Sequence, residues 1–218
     1  LVLRQLFLLT VAVTVILRID SIYAWLPCSI VIGFVIFDFT VLLHEVVHNS
    51  VFRSAKNRTK WNTWLGWLYA IPCGLAKSQF TRWHLDHHAE LGSWEDDPKR
   101  AHLTPKTNKR WVKLLYMTPA LFPIYFRAAA QEAETYPEDL RQKVQLERRI
   151  TIMFHLALML GLILSAGVVN FLKLYAIPYF FVFPVVFTIN RVGQHYHINP
   201  DDIAHWTTLM KGHWFWDR

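Results

Sequence analysis

Cysteine occurs only twice, at Cys28 and Cys73, which excludes a disulfide framework and leaves too few thiolates for a cysteine-built metal site. Charge is scarce as well. Only 18% of the 218 residues are charged, against 53% hydrophobic and 15% aromatic, so a water-soluble globule of this length would lack the polar surface to cover its apolar content. The net charge of +7 does not imply nucleic acid as a partner, because the basic residues fall between hydrophobic stretches, where they act as topology signals. The chain has no initiator Met and opens on apolar residues. It is therefore expected to be one domain over residues 1–218, cut from a longer protein.

The hydrophobic stretches define the organisation. Leu6 to Leu17, closed by Arg18, is a short first span, and residues 22–43 are long enough to cross a bilayer core of roughly 30 Å. That second span carries Asp38, an ionisable residue costly in lipid and hence a structural or functional suspect. Trp61 to Ala76 is broken by Pro72 and Gly74, too short for a clean crossing and better placed at an interface, where Trp61, Trp64 and Trp67 are favoured. Trp111 to Phe126, with Pro119 and Pro123, predicts a surface-lying helix or two half-helices. Residues 150–169 and 171–189, separated by Asn170, predict a hairpin of spans three and four. Between His44 and Arg149 lie 17 Lys and Arg residues, whereas the two expected outer turns carry only Arg18 and Lys173. The positive-inside rule then puts both termini and the polar middle on the cytoplasmic side.

Histidine is concentrated where that topology brings the chain back to one face. His44-Glu45-Val46-Val47-His48 ends the second span with two imidazoles one helical turn apart. Arg82-Trp83-His84-Leu85-Asp86-His87-His88 follows the interfacial run, and on a helix His84 lies one turn from both His87 and His88. After the fourth span comes Arg191-Val192-Gly193-Gln194-His195-Tyr196-His197, in which His195 is the better candidate ligand. Neutral imidazole binds zinc, copper, iron or nickel, so these clusters predict a metal site without naming the ion. His102, His205 and His213 stand singly and read as structural, and His155 as a hydrogen-bonded residue within the membrane. Asp86, Glu95, Asp96 and Asp97 are either solvated or partners that orient ligand imidazoles through the second ring nitrogen.

Two functional classes compete on these residues. The first cluster reads as HExxH, the zinc-peptidase pattern with Glu45 as general base, but that reading leaves His84, His87, His88 and His195 without a purpose. The order of elements, by contrast, resembles the membrane fatty-acid desaturase and hydroxylase superfamily: two spans, HxxxH, an interfacial segment, HxxHH followed by the acidic Glu95-Asp96-Asp97-Pro98, two more spans, and a further His. The resemblance covers nearly the whole chain. It implies an all-α integral membrane protein of four transmembrane helices with a cytoplasmic helical metal-binding cap, in which His44, His48, His84, His87, His88 and His195 hold two non-haem irons. The implied activity is dioxygen-dependent insertion of a double bond into a lipid acyl chain, with electrons from a separate cytochrome b5, ferredoxin or rubredoxin. A related lipid or carotenoid hydroxylase or ketolase is the alternative. The third histidine box of that superfamily is absent before Arg218, and a continuation carrying it is expected.

Overall fold

The run that follows Asp20-Ser21 is apolar and free of internal breakers after Pro27, and it forms the longest early helix of the computed structural model, α2 (Ile22–Val47), after α1 (Val2–Arg18). The structure describes residues 2–49, 51, 58–91, 93, 95–107 and 109–194. The expectations for His195, His197, His205 and His213 lie outside those residues. The remaining helices are α3 (Arg58–Ala70), α4 (Lys77–Ala89), α5 (Arg110–Leu115), α6 (Leu121–Ala133), α7 (Glu138–Phe171) and α8 (Phe183–Gln194). A 3-10 turn (Ile71–Cys73), a π turn (Lys99–Leu103) and a π-helical segment (Leu172–Val182) complete the set. There is no strand among the described residues. As its prolines predict, the second interfacial run divides, into α5 and α6.

The chain forms two compact units, Leu1–Thr81 with Thr135–Phe183, and Arg82–Glu134 with Pro184–Arg218. In the first, α1 lies against α2 through Ala12, Ile16 and Ile32, with Leu174 closing the cluster. Asp38 of α2 does not face lipid alone. It accepts a hydrogen bond from the amide of buried Gln5 and lies 3.6 Å from the Arg4 guanidinium, a pairing that lowers the cost of a carboxylate in a span. Gly33 lets α2 approach the π segment closely, since a Cβ there would stand 2.5 Å from Val182.

Two helical stretches among the described residues are long and apolar enough to cross a membrane, Ile22–Val47 with 26 residues and Glu138–Arg191 with 54. This corrects the expectation of four separate spanning helices. With 17 residues α1 reaches only about 26 Å at 1.5 Å per residue, and no break occurs at Asn170, where the hairpin turn was expected. The long stretch nonetheless doubles back. Gly167 has φ 82° and ψ 164°, a conformation essentially confined to glycine. Beyond it, His155 and Tyr175 are 2.8 Å apart, whereas twenty residues of straight helix would separate them by about 30 Å. At that end Lys173, buried, donates to Asp20 in the α1–α2 turn at 2.6 Å. Along α7, Ile152, Met153, Leu156, Leu160 and Leu164 are exposed, an apolar face of the kind that lipid covers.

The second unit packs Trp83 of α4 against Leu103, Ala128 and Ala129, with Trp83 and Tyr125 ring centroids 5.4 Å apart. The Tyr116 hydroxyl donates to the Leu103 carbonyl at 2.9 Å, and Thr188 of α8 donates to the Tyr116 carbonyl at 2.9 Å. These contacts seat the π turn, α6 and α8 around the helix that bears the second histidine cluster.

Candidate metal centre

The first cluster stands where α2 leaves its apolar run. His44 and His48 share one face, with ring centroids 4.6 Å apart, and Glu45 lies 3.3 Å from the Nδ1 of His44.

The second cluster depends on how α4 is held at its start. Ser78, in the first turn of α4, donates its backbone N–H and its hydroxyl to the buried Glu147 carboxylate of α7, both at 2.6 Å. A negative charge there satisfies open N–H donors and complements the helix dipole. The next turn of α7 adds to the hold: Arg148 donates to the Gln79 side-chain carbonyl at 2.6 Å and 3.2 Å, and Thr151 to the Leu75 carbonyl at 3.3 Å.

Within the second unit, the His84 and His88 ring centroids are 4.4 Å apart, those of His87 and His88 5.6 Å, and those of His84 and His87 6.4 Å. His84 and His87 are buried and His88 is half-buried. The Nδ1–H of His87 donates to Asp97 at 2.8 Å. Asp97 is itself fixed, because its carboxylate also accepts the backbone N–H groups of Lys99 at 3.0 Å and Arg100 at 3.2 Å, at the start of the π turn. With Nδ1 committed to Asp97, the lone pair of His87 is on Nε2, the arrangement that prepares an imidazole to bind a metal. Burial pushes the His87 imidazole down to about 4, against the smaller upward pull of its bond to Asp97, so at neutral pH it is in the ligand form.

Lys99 lies 3.0 Å from the Nδ1 of His84. Burial, with the Arg191 guanidinium adding to it, lowers the Lys99 ammonium to about 7. A neutral amine there accepts the Nδ1–H of His84 and leaves Nε2 available, whereas the ammonium occupies Nδ1 as a donor. Protonation of Lys99 and the tautomer of His84 are therefore linked.

Of the four acidic candidates, only Asp97 serves a candidate ligand ring among the described residues. Asp86 pairs with Arg82 at 2.6 Å on the same helix, Asp96 closes a turn with Ser93 at 3.0 Å, and Glu95 is exposed. His102 sits 3.5 Å from the buried Glu132, whose carboxyl is held above its ordinary value by burial and by Asp86. Sequence reasoning missed Lys99 and Glu147. No spacing rule links Lys99 to His84, but a basic residue directly after Asp97-Pro98 was a signal that could have been read; for Glu147 there was none. His155 accepts from the Tyr175 hydroxyl and donates to the Ile71 carbonyl at 2.9 Å, so both its nitrogens are used, as its intramembrane position predicts.

An HxxxH helix end and an HxxHH helix whose rings are anchored by a following acidic turn form a pattern with a known counterpart. The family model for fatty acid desaturases matches residues 20–217. The chain belongs to the fatty acid desaturase family. Among curated proteins, it is similar to the sphingolipid delta(4)-desaturase DES1 of Gallus gallus, 44% identical over 54 residues that make up 24% of this chain and 16% of that protein. The enzymes of the same name from Homo sapiens and Bos taurus are 40% and 44% identical over 55 residues, 25% of this chain and 16% of each. These matches thus span about a sixth of each relative's length. No solved structure matches. The family match runs through both histidine clusters, the second of which the zinc-peptidase pattern does not account for.

Proposed function

We propose that this desaturase-family chain is a membrane oxidoreductase that introduces a double bond into a lipid acyl chain, using dioxygen and electrons from a separate carrier of the cytochrome b5, ferredoxin or rubredoxin class. The observation that carries the reading is the Asp97–His87 pair on the HxxHH helix, since a buried neutral imidazole with its Nδ1–H anchored is built to offer Nε2 to a metal. His44, His48, His84 and His88 each offer a ring nitrogen as well, and with His87 and His195 they would hold two non-haem irons. An all-imidazole donor set suits iron, with no thiolate needed. Iron supplies oxidising power against an unactivated C–H bond, which no side chain has. In the overall reaction two hydrogens would leave neighbouring carbons and, with dioxygen, two external electrons and two protons from solvent, give the double bond and two waters. Asp97 keeps the His87 tautomer, Lys99 sets that of His84, and Glu147 holds the start of their helix. The curated relatives are named as sphingolipid desaturases, so a sphingolipid is the first substrate to test.

The same reading places the metal-bearing residues on the cytoplasmic side. The 17 Lys and Arg residues between His44 and Arg149 support it, against Arg18 and Lys173 alone near the two outer turns.

Metal analysis of the purified chain and lipid analysis of cells expressing it test the reading. About two irons per chain and a new double bond, both lost on His87→Ala, support it. One zinc per chain with proteolysis abolished by Glu45→Gln overturns it.

A further inference from the structure

Four rings line one side of the π segment and its flanks within the first unit. Phe171, Tyr175, Tyr179 and Phe183 follow one another at centroid distances of 5.7, 5.3 and 5.9 Å, with planes inclined by 17°, 11° and 11°. The Tyr175 and Tyr179 side chains are buried. At the second ring the stack meets His155, whose Nδ1 is 2.8 Å from the Tyr175 hydroxyl. The Nε2 of His155 is 2.9 Å from the Ile71 carbonyl, which only accepts, so Nε2 carries the ring proton and Nδ1 presents its lone pair to the phenol. The tautomer is set by the backbone.

Packing alone does not call for this arrangement. A phenol and an imidazole within an apolar span lose water, and apolar residues of the same shape would fill the space at equal or better stability. An ionisable ring inside a membrane segment is a functional residue by default. Chemically, a phenol that loses an electron becomes a strong acid, and it is oxidised readily only when a base accepts its proton at hydrogen-bond distance. His155 is such a base, already aligned.

We propose that Tyr175 is a redox-active tyrosine, oxidised to a neutral phenoxyl as its proton passes to the Nδ1 of His155. One electron leaves the Tyr175 ring and the O–H bond breaks; the proton forms an N–H bond on His155, giving an imidazolium still bonded to Ile71. The proposal rests on the desaturase reading for its oxidant, the dioxygen-dependent metal centre, which gains the electron. The external carrier returns one electron to the phenoxyl, and His155 returns the proton. The pair thus drains oxidising equivalents when no acyl chain is positioned to use them. Tyr179, stacked on Tyr175, extends the path. Its hydroxyl fills the space beside Gly74, next to Cys73, whose Sγ lies 3.2 Å from the Thr40 hydroxyl, one helical turn before His44.

The test needs no turnover. Full-length, metal-free protein in detergent is oxidised by a flash-generated ruthenium(III) polypyridine, and phenoxyl is followed by absorbance and electron paramagnetic resonance. A long-lived phenoxyl is expected in the unmodified protein and in Tyr23→Phe, a control at an exposed ring, and is lost in Tyr175→Phe. His155→Gln keeps a hydrogen-bond acceptor that takes up no proton, and slows phenoxyl formation by roughly a hundredfold. If that variant does not fold, a solvent deuterium isotope effect on the unmodified protein takes its place: slowing in heavy water supports the assignment, and identical rates overturn it. An undiminished long-lived signal in Tyr175→Phe, or formation in folded His155→Gln at the unmodified rate, also overturns it. A Tyr175 phenoxyl in a protein that makes no new double bond would count against the desaturase reading and leave the Tyr175–His155 pair standing.

Discussion

Asp97 takes the Nδ1–H of His87 and, with the same carboxylate, the first two N–H groups of the π turn that follows it. One side chain thus orients a candidate ligand ring and anchors the turn that follows it. Asp97→Asn is expected to fold and to lower metal affinity by about tenfold or more, because outer-shell partners of ligand histidines typically contribute that much. Competition against a chelator measures it. Unchanged affinity would show that the ring needs no anchor.

The pH dependence of the metal-free protein follows from His87. Its value in the fold, about 4, lies below the ordinary 6.5, so between these the unfolded chain takes up a proton that the folded chain refuses. The stability this contributes is present above about 6.5 and is lost as pH falls toward 4. Lys99 acts in the same sense at higher pH, between its ordinary 10.5 and about 7. Thermal melting from pH 8 to pH 5 is expected to fall less steeply in His87→Gln; an equal slope would contradict the assignment.

Glu147 is buried and doubly hydrogen-bonded to Ser78. Glu147→Ala leaves two donors without their acceptor and is expected to cost about 3 kcal/mol, against roughly 1 kcal/mol for Ser78→Ala. Chemical denaturation in detergent would rank them. If Ser78→Ala were the more damaging, the carboxylate would not be the centre of this contact.

Gly74 has φ +74°, and a Cβ there would collide with the Tyr179 hydroxyl. Gly74→Ala is therefore expected to reduce folded yield sharply. Tyr179→Phe removes the colliding atom, so the double variant should recover most of that loss, leaving a backbone cost of about 1 kcal/mol. Additive losses would rule out the contact as the cause.

For topology, single added cysteines in a chain lacking Cys28 are informative, the remaining Cys73 being buried. Ser21→Cys in the α1–α2 turn and Asn170→Cys are expected to react with an impermeant reagent from outside, and Lys106→Cys only after the membrane is opened. Reaction of Lys106→Cys from outside would invert the orientation.

Much of the site was legible because its elements are local. The i, i+4 spacing of His44 and His48, and the His84, His87, His88 triplet, survive as helix faces with adjacent rings, since 3.6-residue periodicity needs no tertiary information. The broken run at Pro72 likewise announces where α3 ends. What was not legible depends on the fold. Asp97 is indistinguishable from Glu95 and Asp96 until the π turn forms around it, and Glu147 lies 69 residues from the serine it holds. The span count differs because α1, with 17 residues, falls short of a crossing, and because residues 138–191 run on as helix past Asn170, their bend at Gly167 being invisible to a reading of apolar length.

The close approach at Gly33 bears on how a substrate enters. A single added methyl carbon would already meet Val182 at 2.5 Å and the Pro178 carbonyl at 3.0 Å, and the methylene chain of a lipid is wider than that carbon. The seam between α2 and the π segment is therefore closed at this level, and under the proposed function an acyl chain travelling toward the end of α2 would come in by another face of the helix.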